Sequence, residues 1–117
     1  MLSIDLSGRT ALVLGGSRGI GAGITEALCR AGAYTVFTHT GNPENAPRIG
    51  ELKERIKDAG GRARAEKADA LNSGDTTRLV EETVKETGSL DILVCNVGKN
   101  TARPVTEISD DIWREFM

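Results

Sequence analysis

Short apolar runs alternate with stretches of helical spacing along most of the chain. Thr10-Ala11-Leu12-Val13-Leu14 is an unbroken apolar run of strand length, the pattern of a strand covered on both faces. A glycine-rich segment, 15–21, follows it. Ile20, Ile24, Ala27, Leu28 and Ala31 then recur at helical spacing, and Gly32 stands where a helix C-cap glycine belongs. Tyr34-Thr35-Val36-Phe37-Thr38 is rich in β-branched and aromatic residues and predicts a second strand. Residues 40–47 hold glycine, asparagine and two prolines and read as a loop. Ile49, Leu52 and Ile56 form one helical stripe, closed by Gly60-Gly61. Residues 62–68 alternate charge with alanine and suit a third strand at a sheet edge. Asn72 or Ser73 can cap a helix carrying Leu79, Val80, Thr83 and Val84 on one side and ending at Gly88. Asp91-Ile92-Leu93-Val94-Cys95 is the fourth and most apolar strand.

Strands alternating with helices of this length indicate βαβ units and a parallel sheet. With right-handed crossovers the expected fold is α/β, a Rossmann-type sheet in the order 3-2-1-4, truncated after about four strands. Residues 1–117 then form one dinucleotide-binding domain, incomplete at its C-terminus. Ser109-Asp110-Asp111 resembles an N-cap followed by an acidic first turn, with Ile112, Trp113, Phe116 and Met117 as the apolar face of the helix it opens. The sequence stops within that element. An exposed fourth strand and this apolar face should be covered by a second copy, another chain or further residues of a longer product.

Composition narrows the function classes. Aromatics make up only 3% of the chain, so the core must be largely Ala, Val, Ile and Leu. A formal charge of −2 offers no long-range attraction for nucleic acid or an anionic membrane. No apolar run approaches the roughly 18 residues needed to span a bilayer, and the N-terminus lacks the features of a signal peptide. A cytoplasmic protein is expected. Cys29 and Cys95 have no metal-ligand or redox spacing, and both are expected to be reduced and buried. With a single histidine, His39, and no cysteine pair, no metal site is expected.

The segment Gly15-Gly16-Ser17-Arg18-Gly19-Ile20-Gly21 joins a predicted strand to a predicted helix, the context in which a glycine pattern signals phosphate binding. Gly15 permits a tight exit from the strand, Gly19 lets backbone approach a pyrophosphate, and Gly21 lets the helix pack close to the sheet. The helix N-terminus adds unpaired N–H groups and partial positive charge. No Gly-Lys-Ser/Thr follows, which excludes a P-loop.

Gly15-x-x-x-Gly19-x-Gly21, Asp69-Ala70, Asp91-Ile92-Leu93-Val94 and Asn96-Val97-Gly98 together resemble the short-chain dehydrogenase/reductase family, closest in look to its 3-oxoacyl-carrier-protein reductases. The resemblance implies that Gly15, Ser17, Arg18, Gly19, Ile20 and Gly21 line the pyrophosphate and adenosine ribose. It places Asp69 and Ala70 at the adenine, and Asn96, Val97 and Gly98 beneath the nicotinamide-side ribose. Two positions depart from the family pattern. Leu14 replaces the usual Thr before the first glycine, and Cys95-Asn96-Val97 replaces an Asn-Asn-Ala sequence.

Cofactor choice is usually set at the end of the second strand, about 20 residues past the loop, where a carboxylate favours NAD. Here Thr38-His39-Thr40-Gly41-Asn42 contains no acid, and Arg18 can reach toward a 2′-phosphate. The expected cofactor is therefore NADP rather than NAD, with His39 and Thr40 beside the adenosine ribose. His39 could equally be an ordinary surface histidine.

Catalysis in the resembled family uses a Tyr, a Lys four residues later and an upstream Ser, all beyond the fourth strand. The one tyrosine here is Tyr34, and position 38 is Thr, so Tyr34 reads as a packing residue and no catalytic residue is assigned. Ser109, Lys99 and Asn100 assemble no general-acid constellation. Three readings stay open: the cofactor-binding portion of an NADP-dependent carbonyl/alcohol oxidoreductase, a non-catalytic nucleotide-binding or partner module, and a small enzyme using the same cleft for non-redox chemistry.

Overall fold

The computed structural model describes residues 3–69, 72–96, 109–111 and 114. In chain order the elements are β1 (Thr10–Leu14), α1 (Gly19–Arg30), β2 (Tyr34–His39), α2 (Ala46–Asp58), β3 (Arg62–Lys67), α3 (Ser73–Thr87) and β4 (Ile92–Cys95). A short 3-10 turn, Pro43–Asn45, precedes α2. All strand pairings are parallel and the sheet order is β3-β2-β1-β4. This is the expected Rossmann-type arrangement.

Alternate strand residues feed two cores on opposite faces of the sheet. Val13 and Phe37 pack with Cys29 of α1 and Leu52 and Ile56 of α2. Leu12, Leu14 and Val36 pack with Leu79 of α3 and with Ala68. β1 is wholly buried because it has a strand on each side and helices over both faces.

Capping fixes the helix limits. The Asn72 side chain accepts a hydrogen bond from Asp75 N–H at 3.2 Å, which identifies it rather than Ser73 as the cap of α3. In the segment read as a loop, Asn42 does the same for Glu44 N–H at 3.0 Å, nucleating the 3-10 turn that runs into α2.

Asp91 fastens β4 to β1 at the N-terminal ends of the two strands. Its carboxylate accepts Thr10 N–H at 2.8 Å, while its own N–H donates to Thr10 carbonyl at 2.9 Å. The Thr10 N–H holds the Asp91 carboxyl below the usual carboxylate range, with help from the Ser89 hydroxyl and Arg9.

Three expectations are corrected. The buried face of α1 is Gly21, Thr25 and Cys29, flanked by half-buried Ala22, Ile24 and Leu28. Ile20 is 77% exposed and Ala27 is also exposed, so the apolar stripe is rotated from the one expected. Cys29 is buried but Cys95 is exposed. On the α3 side of β4, Leu93 is 52% exposed, which agrees with the expected exposed fourth strand, because no described residue covers it as α3 covers β1 and β2. Val84 of α3 is exposed too, whereas Leu79 and Thr83 are buried.

Asp110, Asp111 and Arg114 are helical, in keeping with a helix starting after Ser109. The expected apolar face of that helix, Ile112, Trp113, Phe116 and Met117, lies outside the described residues, as do Lys99 and Asn100.

Candidate functional site

The loop 15–21 leaves the C-terminal end of β1, beside the junction with β4 where the strand order reverses. Its first residue turns sharply, with Gly15 at φ +77°, and Gly19 opens α1 at φ +56°. Both values favour glycine. β2 then anchors the exit: Gly15 N–H donates to the Thr38 hydroxyl at 2.8 Å, and Gly16 N–H to the Thr38 carbonyl at 3.2 Å.

Close packing sets the rest of the loop. A Cβ on Gly21 would sit 2.1 Å from the Gly15 carbonyl oxygen and 2.7 Å from Asn96 Nδ2. A Cβ on Gly16 would sit 2.6 Å from Thr25 Oγ1, 2.8 Å from Phe37 Cβ and 2.9 Å from Val13 Cγ1. The buried Thr25 hydroxyl lies 2.9 Å from the Gly21 carbonyl and 3.1 Å from that of Gly16, and shares its hydrogen between them. Asn96 Nδ2 donates to the Gly15 carbonyl at 3.4 Å. Thr38 and Thr25 thus supply polar anchors that the apolar Leu14 side chain does not.

Arg18 is the N-cap of α1, in extended backbone, and its side chain makes no capping hydrogen bond. There is no acidic residue in the first turn of α1. The first N–H groups of the helix therefore lack intrahelical acceptors and face the loop with partial positive charge. Ser17 is buried, whereas Arg18, Gly19 and Ile20 are exposed. Anion binding is the chemistry this arrangement suits.

Beyond β2 the chain forms a second part of the site. His39 ends the strand, half-buried, rather than lying in a loop, and its Nδ1 accepts Gly41 N–H at 3.0 Å. This bond holds the turn that carries Thr40. Thr40 and Asp69 line one open cavity of about 540 Å³ with Lys67, Ala68, Asp75 and Arg78. Asp69 N–H donates to the Asp75 carboxylate at 2.9 Å, joining the end of β3 to the first turn of α3. The structure brings Gly15, Gly21 and Asn96 into one cluster and Thr40 and Asp69 into another. Ala70, Val97 and Gly98 lie outside the described residues.

Gly16, Thr25, Thr38 and Lys67 were not singled out by sequence reasoning. A Thr one helical turn past Gly21, facing the loop, was the available signal for Thr25. The others depend on which strands are neighbours.

Tyr34 sits at the start of β2, the end of the sheet away from the loop, and its hydroxyl donates to Glu86 at 2.6 Å. Burial and Glu86 push its pKa up, the wrong direction for a proton-transfer group. It packs against the α3-side core. Among the described residues no cluster of His, Cys, Asp or Glu is placed to hold a metal ion, and no helix is long and apolar enough to cross a membrane.

A parallel sheet with helices on both faces and a glycine loop opening α1 at its switch point defines the class of doubly wound α/β proteins. Within that class, the sequence matches the family model for short chain dehydrogenase over residues 9–117, and the chain belongs to this family. It is 31% identical over 113 residues to 3beta-hydroxysteroid dehydrogenase 2 of Eggerthella lenta, covering 96% of this chain and 42% of that protein. A dehydrogenase/reductase from Sinorhizobium meliloti 1021 superposes with a TM-score of 0.82 at 39% identity, over 97% of this chain and 44% of that one. A 3-oxoacyl (acyl-carrier-protein) reductase from Agrobacterium tumefaciens C58, solved with NADP bound, has a TM-score of 0.74 at 32% identity, over 92% and 40%. The chain thus spans less than half the length of these relatives.

Proposed function

We propose that this chain is the dinucleotide-binding portion of an NADP-dependent short-chain oxidoreductase acting on a carbonyl/alcohol pair. The observation that carries the reading is the cradle at 15–21, where α1 begins uncapped and Gly21 lies too close to the Gly15 carbonyl for any side chain. A pyrophosphate fits such a cradle because backbone N–H groups and the helix dipole meet it with no Cβ between.

In this reading Gly15, Ser17, Arg18, Gly19, Ile20 and Gly21 hold the pyrophosphate and the adjoining ribose. His39 and Thr40 flank the adenosine ribose, Asp69 and Ala70 hold adenine, and Asn96, Val97 and Gly98 run beneath the nicotinamide-side ribose. The bound cofactor would supply or accept a hydride at its nicotinamide ring. No residue of this chain is assigned to catalysis, since Tyr34 is turned to packing. The protein is taken to work in the cytoplasm, with residues 1–117 as a single dinucleotide-binding unit. A second copy or another chain would cover the β4 edge, as its exposed Leu93 supports.

NADP is favoured over NAD by the absence of a carboxylate in residues 38–42 and by the exposed guanidinium of Arg18 at the cap of α1, which has no partner among the described residues. Titration of the protein with NADPH and NADH tests this directly. Tighter binding of NADPH is expected; equal affinity, or tighter binding of NADH, would contradict it.

A further inference from the structure

The cavity at the C-terminal ends of β2 and β3 is lined by a cation, Lys67, separate from Arg18 of the loop. Lys67 is the last residue of β3, in register with His39, and its exposed side chain helps line the cavity alongside Thr40. The stem lies across the turn after β2: a Cβ on Gly41 would fall 2.6 Å from Lys67 Cε and 2.7 Å from Cδ. The absent side chain at Gly41 is what lets the stem lie there, and the Gly41 turn is itself held by His39 Nδ1.

Lys67 makes no ion pair or hydrogen bond among the described residues. The cavity's other cation, Arg78, pairs with Glu82 at 3.3 Å. Of its two acids, Asp75 is engaged by Asp69 N–H at the start of α3, and Asp69 has a partner of its own. An uncommitted ammonium carried on the backbone of the β2–α2 turn is therefore available to an anion.

With the pyrophosphate on the first turn of α1, the adenosine half of a dinucleotide extends over the end of β2, and its 2′ position lies at the residues that follow that strand. We infer that Lys67 contacts the 2′-phosphate of NADP(H) from the neighbouring strand and is a specificity-determining residue for this cofactor. The inference rests on the dinucleotide reading of the loop and adds a charge contributed by β3, separate from Arg18. A point charge on a flexible stem suits a phosphate, and a charge-assisted contact of this kind distinguishes NADPH from NADH because only NADPH bears the acceptor.

The test is equilibrium titration of the full chain and its Lys67→Met and Lys67→Arg variants with NADPH, NADH, 2′,5′-ADP and 5′-ADP. Methionine keeps most of the stem on Gly41 and removes the charge. About tenfold weaker NADPH and 2′,5′-ADP binding is expected in Lys67→Met, with NADH and 5′-ADP changed by less than about twofold. Lys67→Arg should retain most of the preference. An unchanged NADPH-to-NADH ratio in Lys67→Met, or equal losses for all four ligands, overturns the role of Lys67 while leaving the loop reading intact. If the unmodified protein binds none of the four, the dinucleotide reading itself fails.

Discussion

Alanine at position 21 is expected to weaken NADPH binding by about 100-fold or more, equivalent to ~2.7 kcal/mol, while the far-ultraviolet circular dichroism stays near that of the parent. The added methyl would sit 2.1 Å from the Gly15 carbonyl oxygen. That oxygen belongs to backbone and cannot rotate away as a side chain could. Gly15 is tied through its N–H to Thr38 and through its carbonyl to Asn96. Either the loop or the first turn of α1 must shift, and both define the phosphate position. Overpacking of this kind costs ~1–3 kcal/mol in stability, so the fold should survive more readily than the cradle. Undiminished NADPH affinity in a folded Gly21→Ala protein would show that the cradle is not the binding site.

The largest loss of stability is expected from Phe37→Ala, about 3–5 kcal/mol by urea denaturation. Phe37 is fully buried in β2 between α1 and α2, in the cluster that includes Val13, Leu52 and Ile56. Aromatics are too few in this chain for a neighbour to fill the space. Domain stabilities are commonly ~5–15 kcal/mol, so much of the margin would be lost. A loss below about 1 kcal/mol would mean that the core on this face is not packed as described.

The strand order was legible because runs of strand length alternate with helical stripes whose ends glycines mark, and right-handed crossovers then fix the order. β3 was readable as an edge from its alternation of Arg and Ala, which a doubly covered strand would not tolerate. The orientation of α1 was harder. Counting apolar residues placed Ile20 in the buried stripe, but the helix presents its glycine and threonine to the sheet, because Gly21 and Thr25 must fit against the loop. Small and polar residues there are demanded by backbone proximity, which hydrophobic periodicity does not register.

Cys95 failed for the opposite reason. An apolar run signals burial only if something lies over it, and the described residues leave β4 as an edge. In the site, the glycines were legible as a local pattern, whereas Thr38 beneath Gly15 and Lys67 against Gly41 depend on strand registry. Such contacts join residues far apart in sequence.

The loop's role in holding a nicotinamide dinucleotide is tested most directly by amide chemical-shift mapping of the 15N-labelled protein during titration with NADPH. Saturable shifts are expected, concentrated at Gly15, Gly16, Ser17, Arg18, Gly19, Ile20 and Gly21, with smaller ones at Thr40 and Asp69. No saturable shifts, or shifts that saturate elsewhere while these amides stay unmoved, would contradict it.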